Sequence, residues 1–354
     1  MFRELRKKSF QKFKNTETRI HELNYLFWEC TTQCNMSCLH CGSDCSQNNS
    51  FKDMPLTDFL SALDTIKAKP ENFTVVITGG EPLLRNDLEI CGREIRKHGA
   101  RWGIVSNGYL YNMERHISLL NSGLGALTIS LDGLEENHNW LRNSSDSFAK
   151  VDTALSLAAG SSRLNFDIVT CVNKRNITEL PSIYSYLIKK RVKAWRLFTI
   201  SPIGRAKNNP DLILGNFQFK EMLDFISHKR KEKSIDIKFS CEGYVGKYEL
   251  QVRDSYFFCR AGINIASVLV DGSISACPNI DRSFSQGNIY KDNFSEIWEK
   301  KYQLFRDRSW TKAGLCERCS EYQYCQGNGL HNRVKMKGDL LICHNNKIIK
   351  ALEN

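Results

Sequence analysis

The 354-residue chain contains no run of eighteen apolar residues, so no segment is long enough to cross a bilayer as a helix. No apolar signal region follows Met1, and neither a low-complexity tract nor an internal repeat beyond an alternation of short and long segments appears. No nucleic-acid recognition motif or stacking signature accompanies the net charge of +11, which argues against a nucleic-acid partner. Cysteine, by contrast, is abundant, with fourteen residues. In a short secreted chain that content predicts disulfides. Here the cysteines fall in metal-like spacings, which predicts reduced thiols and a cytoplasmic protein.

The length suits a barrel-sized domain plus a smaller one. Much of the basic charge lies in residues 1–22, a basic N-terminal extension. There Arg3, Arg6, Lys7, Lys8, Lys12, Lys14 and Arg19 surround Phe2, Leu5, Phe10 and Phe13. This is the composition of an amphipathic helix that packs its phenylalanines on the domain. A grip on an acidic peptide is the sharper reading of the same face.

From residue 23 to about 210, β-branched and aromatic runs alternate with segments of helical period, the pattern of βα units and a parallel sheet. The runs are Asn24–Trp28, Phe73–Ile77, Trp102–Val105, Ala126–Leu131, Asn165–Val172 and Ala194–Ile200. Between them, helical spacing recurs from Leu56 to Ile66, from Leu88 to Ile95, from Phe148 to Leu157 and over Asn176–Ile188. Six units are too few to close an eight-stranded barrel, so the expected fold class is α/β with an open or partial barrel. Residues 211–240 read as a bridging segment and 241–354 as a small, loop-rich, Cys-rich C-terminal domain. In such sheets ligands bind beyond the carboxyl ends of the strands.

Cys34, Cys38 and Cys41 follow the first strand in a Cys-x3-Cys-x2-Cys run. Three thiolates this close can hold three irons of a 4Fe-4S cube and leave the fourth iron open to a small molecule. A zinc knot completed by Cys30, Cys45 or His40 is the alternative for the same residues. The spacing, with aromatic His40 before the third cysteine, resembles the cluster motif of radical S-adenosylmethionine (SAM) enzymes. The resemblance implies a (β/α)6 core and an open iron that chelates SAM. It also implies reductive cleavage of SAM to a 5′-deoxyadenosyl radical, and places His40 against adenine.

Other strand ends extend the resemblance. Gly79, Gly80 and Glu81 follow the second strand, and in the family such a segment binds the SAM amino group. Ser106 and Asn107 end the third strand, and Ser130 and Asp132 the fourth, all groups suited to a ribose; by family similarity they hydrogen-bond SAM. Arg142 is assigned to the SAM carboxylate, for which a planar guanidinium is apt. Singly, each of these is also an ordinary turn or cap residue. Ser201-Pro202-Ile203-Gly204-Arg205-Ala206 resembles a segment of the subfamily with a second cluster domain.

Cys316, Cys319, Cys325 and Cys343 supply four thiolates, enough for a closed auxiliary 4Fe-4S cluster or a zinc site. With Cys259, Gly272 and Cys277 upstream, they resemble the SPASM domain of radical SAM maturases. The match departs from the pattern at Gly329, where a cysteine is usual. An inner cluster would therefore rest on Cys259 and Cys277, with Cys241 as an extra ligand or a catalytic hydrogen donor. Cys91 and Cys171 read as small core residues, and Cys30 and Cys45 as packing or spare thiols.

The expected function is that of a radical SAM oxidoreductase or maturase acting on a peptide or protein, forming a crosslink or thioether or epimerising a residue. An electron donor such as a flavodoxin or ferredoxin is implied. No separate leader-binding domain is expected within residues 1–22. A small-molecule radical SAM oxidoreductase in cofactor biosynthesis is the alternative enzyme. A non-catalytic zinc or iron–sulfur protein is the alternative of another class, although the polar strand ends would serve no purpose there.

Overall fold

The computed structural model describes residues 2–46, 51–69, 72–333 and 340–353. Ten strands form one sheet: β1 (Tyr25–Thr31), β2 (Thr74–Gly79), β3 (Arg101–Ser106), β4 (Ala126–Ser130), β5 (Asn165–Val172), β6 (Ala194–Thr199), β7 (Asp236–Phe239), β8 (Ile265–Val268), β9 (Ser273–Ser275) and β10 (Gly287–Asn288). Their spatial order is β10-β9-β8-β1-β2-β3-β4-β5-β6-β7. From β8 through β1 to β7 every pairing is parallel, and only β9 and β10 run antiparallel. The expected α/β class and parallel sheet are present. The sequence reading counted six strands in this sheet, and β7 adds a seventh after β6 in chain order. β8 then pairs with β1, so the C-terminal half extends the same sheet rather than building a separate one.

The core is what β-branched and aromatic strands demand: Leu26, Trp28, Val75, Ile77, Ile104, Ile129, Ile168, Trp195 and Leu197 are buried in one cluster. Trp28 stacks on Phe59 of the first crossover helix, with ring centroids 4.2 Å apart. The helices are α1 (Phe2–Ile20), α2 (Leu56–Asp64), α3 (Leu88–Lys97), α4 (Met113–Asn121), α5 (Glu135–Arg142), α6 (Ser147–Gly160), α7 (Leu180–Lys189), α8 (Asn216–Glu232) and α9 (Phe294–Lys301). A last helix, His344–Glu353, packs on α8.

Sequence periodicity misses α4 and α5. The first buries only Leu119 and is held by the Asn112 side chain, which caps the Arg115 amide. The second turns His138 and Arg142 inward beside Leu141, so no apolar stripe marks it.

Helix α1 packs across the C-terminal half. Phe10 meets Tyr256 at 5.6 Å, and Phe13 meets Phe258 edge-on at 6.5 Å. Lys14 is buried and donates to the Tyr324 carbonyl at 2.8 Å, and Lys7 pairs with Glu321 at 3.2 Å. Phe10 and Phe13 therefore pack on this half, Phe13 remaining partly exposed, while Arg6, Lys8, Lys12 and Arg19 stay exposed.

Candidate active site

The carboxyl ends of the strands meet one cavity of about 850 Å³. Cys34, Cys38, Cys41, His40, Gly79, Gly80, Ser106, Asn107, Ser130 and Arg142 line it from the barrel side, and Cys241, Cys259 and Cys277 from the other. Two residues assigned to SAM by resemblance, Glu81 and Asp132, lie behind this wall. Both are fully buried.

Gly79 and Gly80 act first on the cysteine loop itself. A Cβ at Gly79, whose φ is +138°, would stand 2.1 Å from the Thr31 carbonyl oxygen, and one at Gly80 would stand 2.0 Å from that of Gln33. The close approach lets Gly80 N donate to Thr31 O at 2.9 Å and Glu81 N to Gln33 O at 2.8 Å. Glu81 then accepts at both oxygens: Oε1 from Leu83 N (3.0 Å) and Ser106 Oγ (2.9 Å), Oε2 from Asn107 N (2.7 Å). Burial pushes its carboxyl up, against these donors. Asn107 in turn donates through Nδ2 to Asn35 Oδ1 at 2.8 Å. Glu81 thus orients the cavity-lining residues of β3 from beneath, while no atom of it lines the cavity.

Asp132 has the same supporting place at β4. Its Oδ1 accepts from Cys171 N at 2.7 Å, and Oδ2 lies 2.5 Å from Arg142 Nη2. Arg142 Nη1 reaches Cys38 Sγ at 3.7 Å. The loop is fastened further by Leu39 N to Leu141 O, 2.9 Å, at the end of α5. Arg205 clamps it from β6, with Nε on Cys38 O (2.7 Å) and Nη1 on Cys45 O (2.9 Å) and Asp44. The Ser201–Ala206 segment is therefore a brace for the cysteine loop.

Burial pushes the Cys34 thiol up to about 11. Cys45, which donates its thiol proton to Cys41, and the nearby Arg205 pull the Cys41 thiol down to about 5. Such a trio, crowded together, calls for a bound cation to hold all three as thiolates. Zinc at 2.3 Å from each sulfur would bring the sulfurs to about 3.8 Å of one another. Among the described residues, the one group of three ligating side chains within 4.8 Å is His40, Asp132 and Cys171; neither cysteine set is in it. At His40, Asp132 and Cys171, the Arg142 guanidinium already neutralises the carboxylate, so a cation there would displace it.

In the second set, Arg333 Nη2 approaches Cys316 Sγ at 3.5 Å and Asn328 N donates to Cys325 Sγ at 3.2 Å. Gln326, Gly327 and Asn328 all have positive φ, a left-handed turn that aims the Asn328 amide at the sulfur. Cys343 lies in electrostatic range of Cys316 and Cys319. Cys325 is likewise in electrostatic range of Cys316 and Cys343.

The radical SAM superfamily model matches residues 28–187, and an iron–sulfur cluster-binding domain model, SPASM, matches residues 259–320. The chain carries a radical SAM domain followed by a SPASM region. It is 23% identical over 320 residues to the AdoMet-dependent heme synthase of Nitratidesulfovibrio vulgaris, covering 85% of each chain. It is 26% identical over 309 residues to mycofactocin maturase MftC of Mycolicibacterium smegmatis, covering 85% of this chain and 76% of that one. In fold it matches native anSMEcpe with bound AdoMet and Cp18Cys peptide (TM-score 0.71, 20% identity, 94% and 95% covered). It also matches Streptococcus suis SuiB bound to precursor peptide SuiA (TM-score 0.66, 16% identity, 92% and 77% covered).

As a radical SAM protein with a SPASM region, the chain takes SAM, a SAM-binding 4Fe-4S cluster and auxiliary iron–sulfur clusters as its cofactors. The cavity suits a polar ligand: in its lining residues His40 and Arg142, Nδ1 and Nε are buried without a protein partner. Burial also pulls the His40 imidazole down to about 4, so it faces the cavity neutral.

Several lining residues escaped sequence reasoning. Cys171, read as a core residue, lines the cavity because β5 ends there. Glu242, buried with burial pushing its carboxyl up to about 7, accepts from Thr199 N and Oγ1, each at 2.7 Å. His331 and Arg333 also line it. Counting Ile235–Phe239 as a strand of the parallel sheet would have drawn attention to Cys241 and Glu242, which follow its carboxyl end. His331 and Arg333 carry no such local signal.

Proposed function

We propose that the protein reductively cleaves SAM at a cluster held by Cys34, Cys38 and Cys41 and abstracts hydrogen from a peptide or protein segment entering the cavity. The observation that carries this is the single cavity on which both the SAM-cluster cysteines and the inner auxiliary cysteines open. Bound there, SAM and its cluster supply the 5′-deoxyadenosyl radical. The chain's residues position and shield it. Gly79, Gly80, Ser106, Asn107 and Ser130 would face SAM directly, His40 would pack on adenine, and Arg142 would pair the carboxylate while Asp132 holds it in place. Glu81 would act through Ser106 and Asn107. Arg142, Arg205, Arg260, Arg282 and Arg333 line the cavity against Glu29, Glu242 and Asp281, a balance that favours an acidic segment. The peptides bound in the anSMEcpe and SuiB structures support the same substrate class. An external electron donor follows from the chemistry, since SAM cleavage consumes an electron.

The heme synthases among the relatives favour a second reading, a carboxylate-bearing small molecule in cofactor biosynthesis, which about 850 Å³ could hold beside SAM. The test is anaerobic. The reconstituted protein is given SAM, a reductant and either the peptide or the small-molecule fraction of uniformly deuterated source cells. Deuterium in 5′-deoxyadenosine from the peptide fraction, absent in Cys38→Ala, is expected. Deuterium from the small-molecule fraction alone overturns the peptide reading.

A further inference from the structure

The auxiliary region departs from its motif at residue 329, and the structure shows what stands there instead. A Cβ on Gly329 would lie 2.3 Å from the Glu242 carbonyl oxygen and 2.6 Å from His331 Cε1. No cysteine fits. The obstruction is the segment after β7, which is tied to this loop: Tyr244 N donates to Asn328 Oδ1 at 3.0 Å, and Asn332 Nδ2 to Glu242 O at 3.3 Å. Gly243 is pressed as tightly, its absent Cβ being 2.1 Å from Asn328 Oδ1. The packing that closes position 329 therefore brings Cys241 to the cavity.

We propose that Cys241, Cys259 and Cys277 together hold an inner auxiliary 4Fe-4S cluster, with Cys241 supplied by the barrel sheet in place of the cysteine missing at 329. The three side chains line the same cavity. Cys241 is exposed and lines that cavity. The thiols lie in electrostatic range of one another: Cys259 acts on Cys241, and both act on Cys277. Donors for cluster sulfur are already in place. Leu330 N, Ala261 N and the Arg308 guanidinium reach Cys259, and Asn279 N reaches Cys277. Three thiolates leave one iron without a protein sulfur, on the cavity shared with SAM. Binding the cluster would join β7 to the loops carrying Cys259 and Cys277.

The inference rests on the SPASM assignment and not on the substrate. Iron and acid-labile sulfide are counted in the anaerobically reconstituted full chain, and low-temperature EPR is recorded after reduction. Parent, Cys241→Ala, Cys277→Ala and Cys38→Ala are compared. Cys241→Ala and Cys277→Ala are expected to lose the same EPR component and about four irons each. Cys38→Ala should lose a different component. Parent-level iron with every component intact in Cys241→Ala overturns the proposal, and leaves the SAM site standing if Cys38→Ala still loses its own. Should Cys241→Ala fold poorly by circular dichroism, Cys241→Ser decides: shifted g-values in the Cys277-dependent component support ligation, and unchanged ones refute it.

Discussion

Asp132 and Arg142 form a buried ion pair, Oδ2 to Nη2 at 2.5 Å, and the other guanidinium nitrogen lies 3.7 Å from Cys38 Sγ. A carboxylate at one strand end thereby fixes a cation between the cluster loop and the cavity. Arg142 keeps its charge because that carboxylate and the cysteine sulfurs outweigh burial.

Breaking this pair should be costly in two ways. Arg142→Met leaves Asp132 buried and unpaired, so unfolding should lose about 3–5 kcal/mol, read as a fall in the denaturation midpoint. In the reconstituted protein, 5′-deoxyadenosine release should fall about 10–100-fold, as removal of an outer-shell partner commonly does. Arg142→Lys should recover part of the stability and little of the rate, because an ammonium cannot bridge carboxylate and cluster as a planar fork does.

Gly79→Ala places a methyl 2.1 Å from the Thr31 carbonyl at a φ of +138°. The β1–β2 junction must open, and the cysteine loop moves with it. The expected result is a loss of more than about 1 kcal/mol and weakened iron retention, checked by thermal melting and iron counts.

Four histidines are held neutral, His138 and His344 buried and His40 and His331 half-buried on the cavity wall. Burial pulls His40 and His331 down to about 4, His138 to about 3, and His344 well below its ordinary value. The unfolded chain takes up protons near pH 6.5 that the folded chain refuses. Stability from this source is present above pH 6.5 and is lost as pH falls toward 4, at about 1.4 kcal/mol per pH unit for each histidine. Urea unfolding of His138→Asn between pH 6.5 and 4 should show a slope shallower by about one proton. An unchanged slope would show that His138 is protonated in the fold.

Lys14 on α1 is buried in electrostatic range of both Cys259 and Cys325. A cation between two sulfur sets stabilises their reduced, more negative states. Lys14→Met should retain the auxiliary iron and shift the auxiliary midpoint potentials to more negative values in an EPR redox titration. Unmoved potentials would limit Lys14 to its bond with Tyr324.

The cysteine run, the Gly-Gly-Glu segment and the polar ends of β3 and β4 were legible because each is local: spacing along the chain carries the chemistry. The same holds for β1 to β6, whose apolar runs are long enough to show. Helix α5 was not legible, since its inward face carries His138 and Arg142, and only the burial of Asp132 explains why a polar face turns inside. Glu81 and Asp132 were legible as residues, but their depth was not: both stand behind the cavity wall, because their oxygens are taken by β3 amides and by Arg142.

The sequence by itself determined that Cys34, Cys38 and Cys41 are near neighbours, since sulfurs within a few residues stay close in any fold. It also determined the order of β1 to β6 and of the helices that carry an apolar stripe. Only the tertiary structure decided which strand ends share a cavity, that β8 pairs with β1, and that Cys241 lines the same cavity as Cys259 and Cys277. Those pairings depend on sheet register and loop packing between residues far apart in the chain, where no local pattern can specify a neighbour.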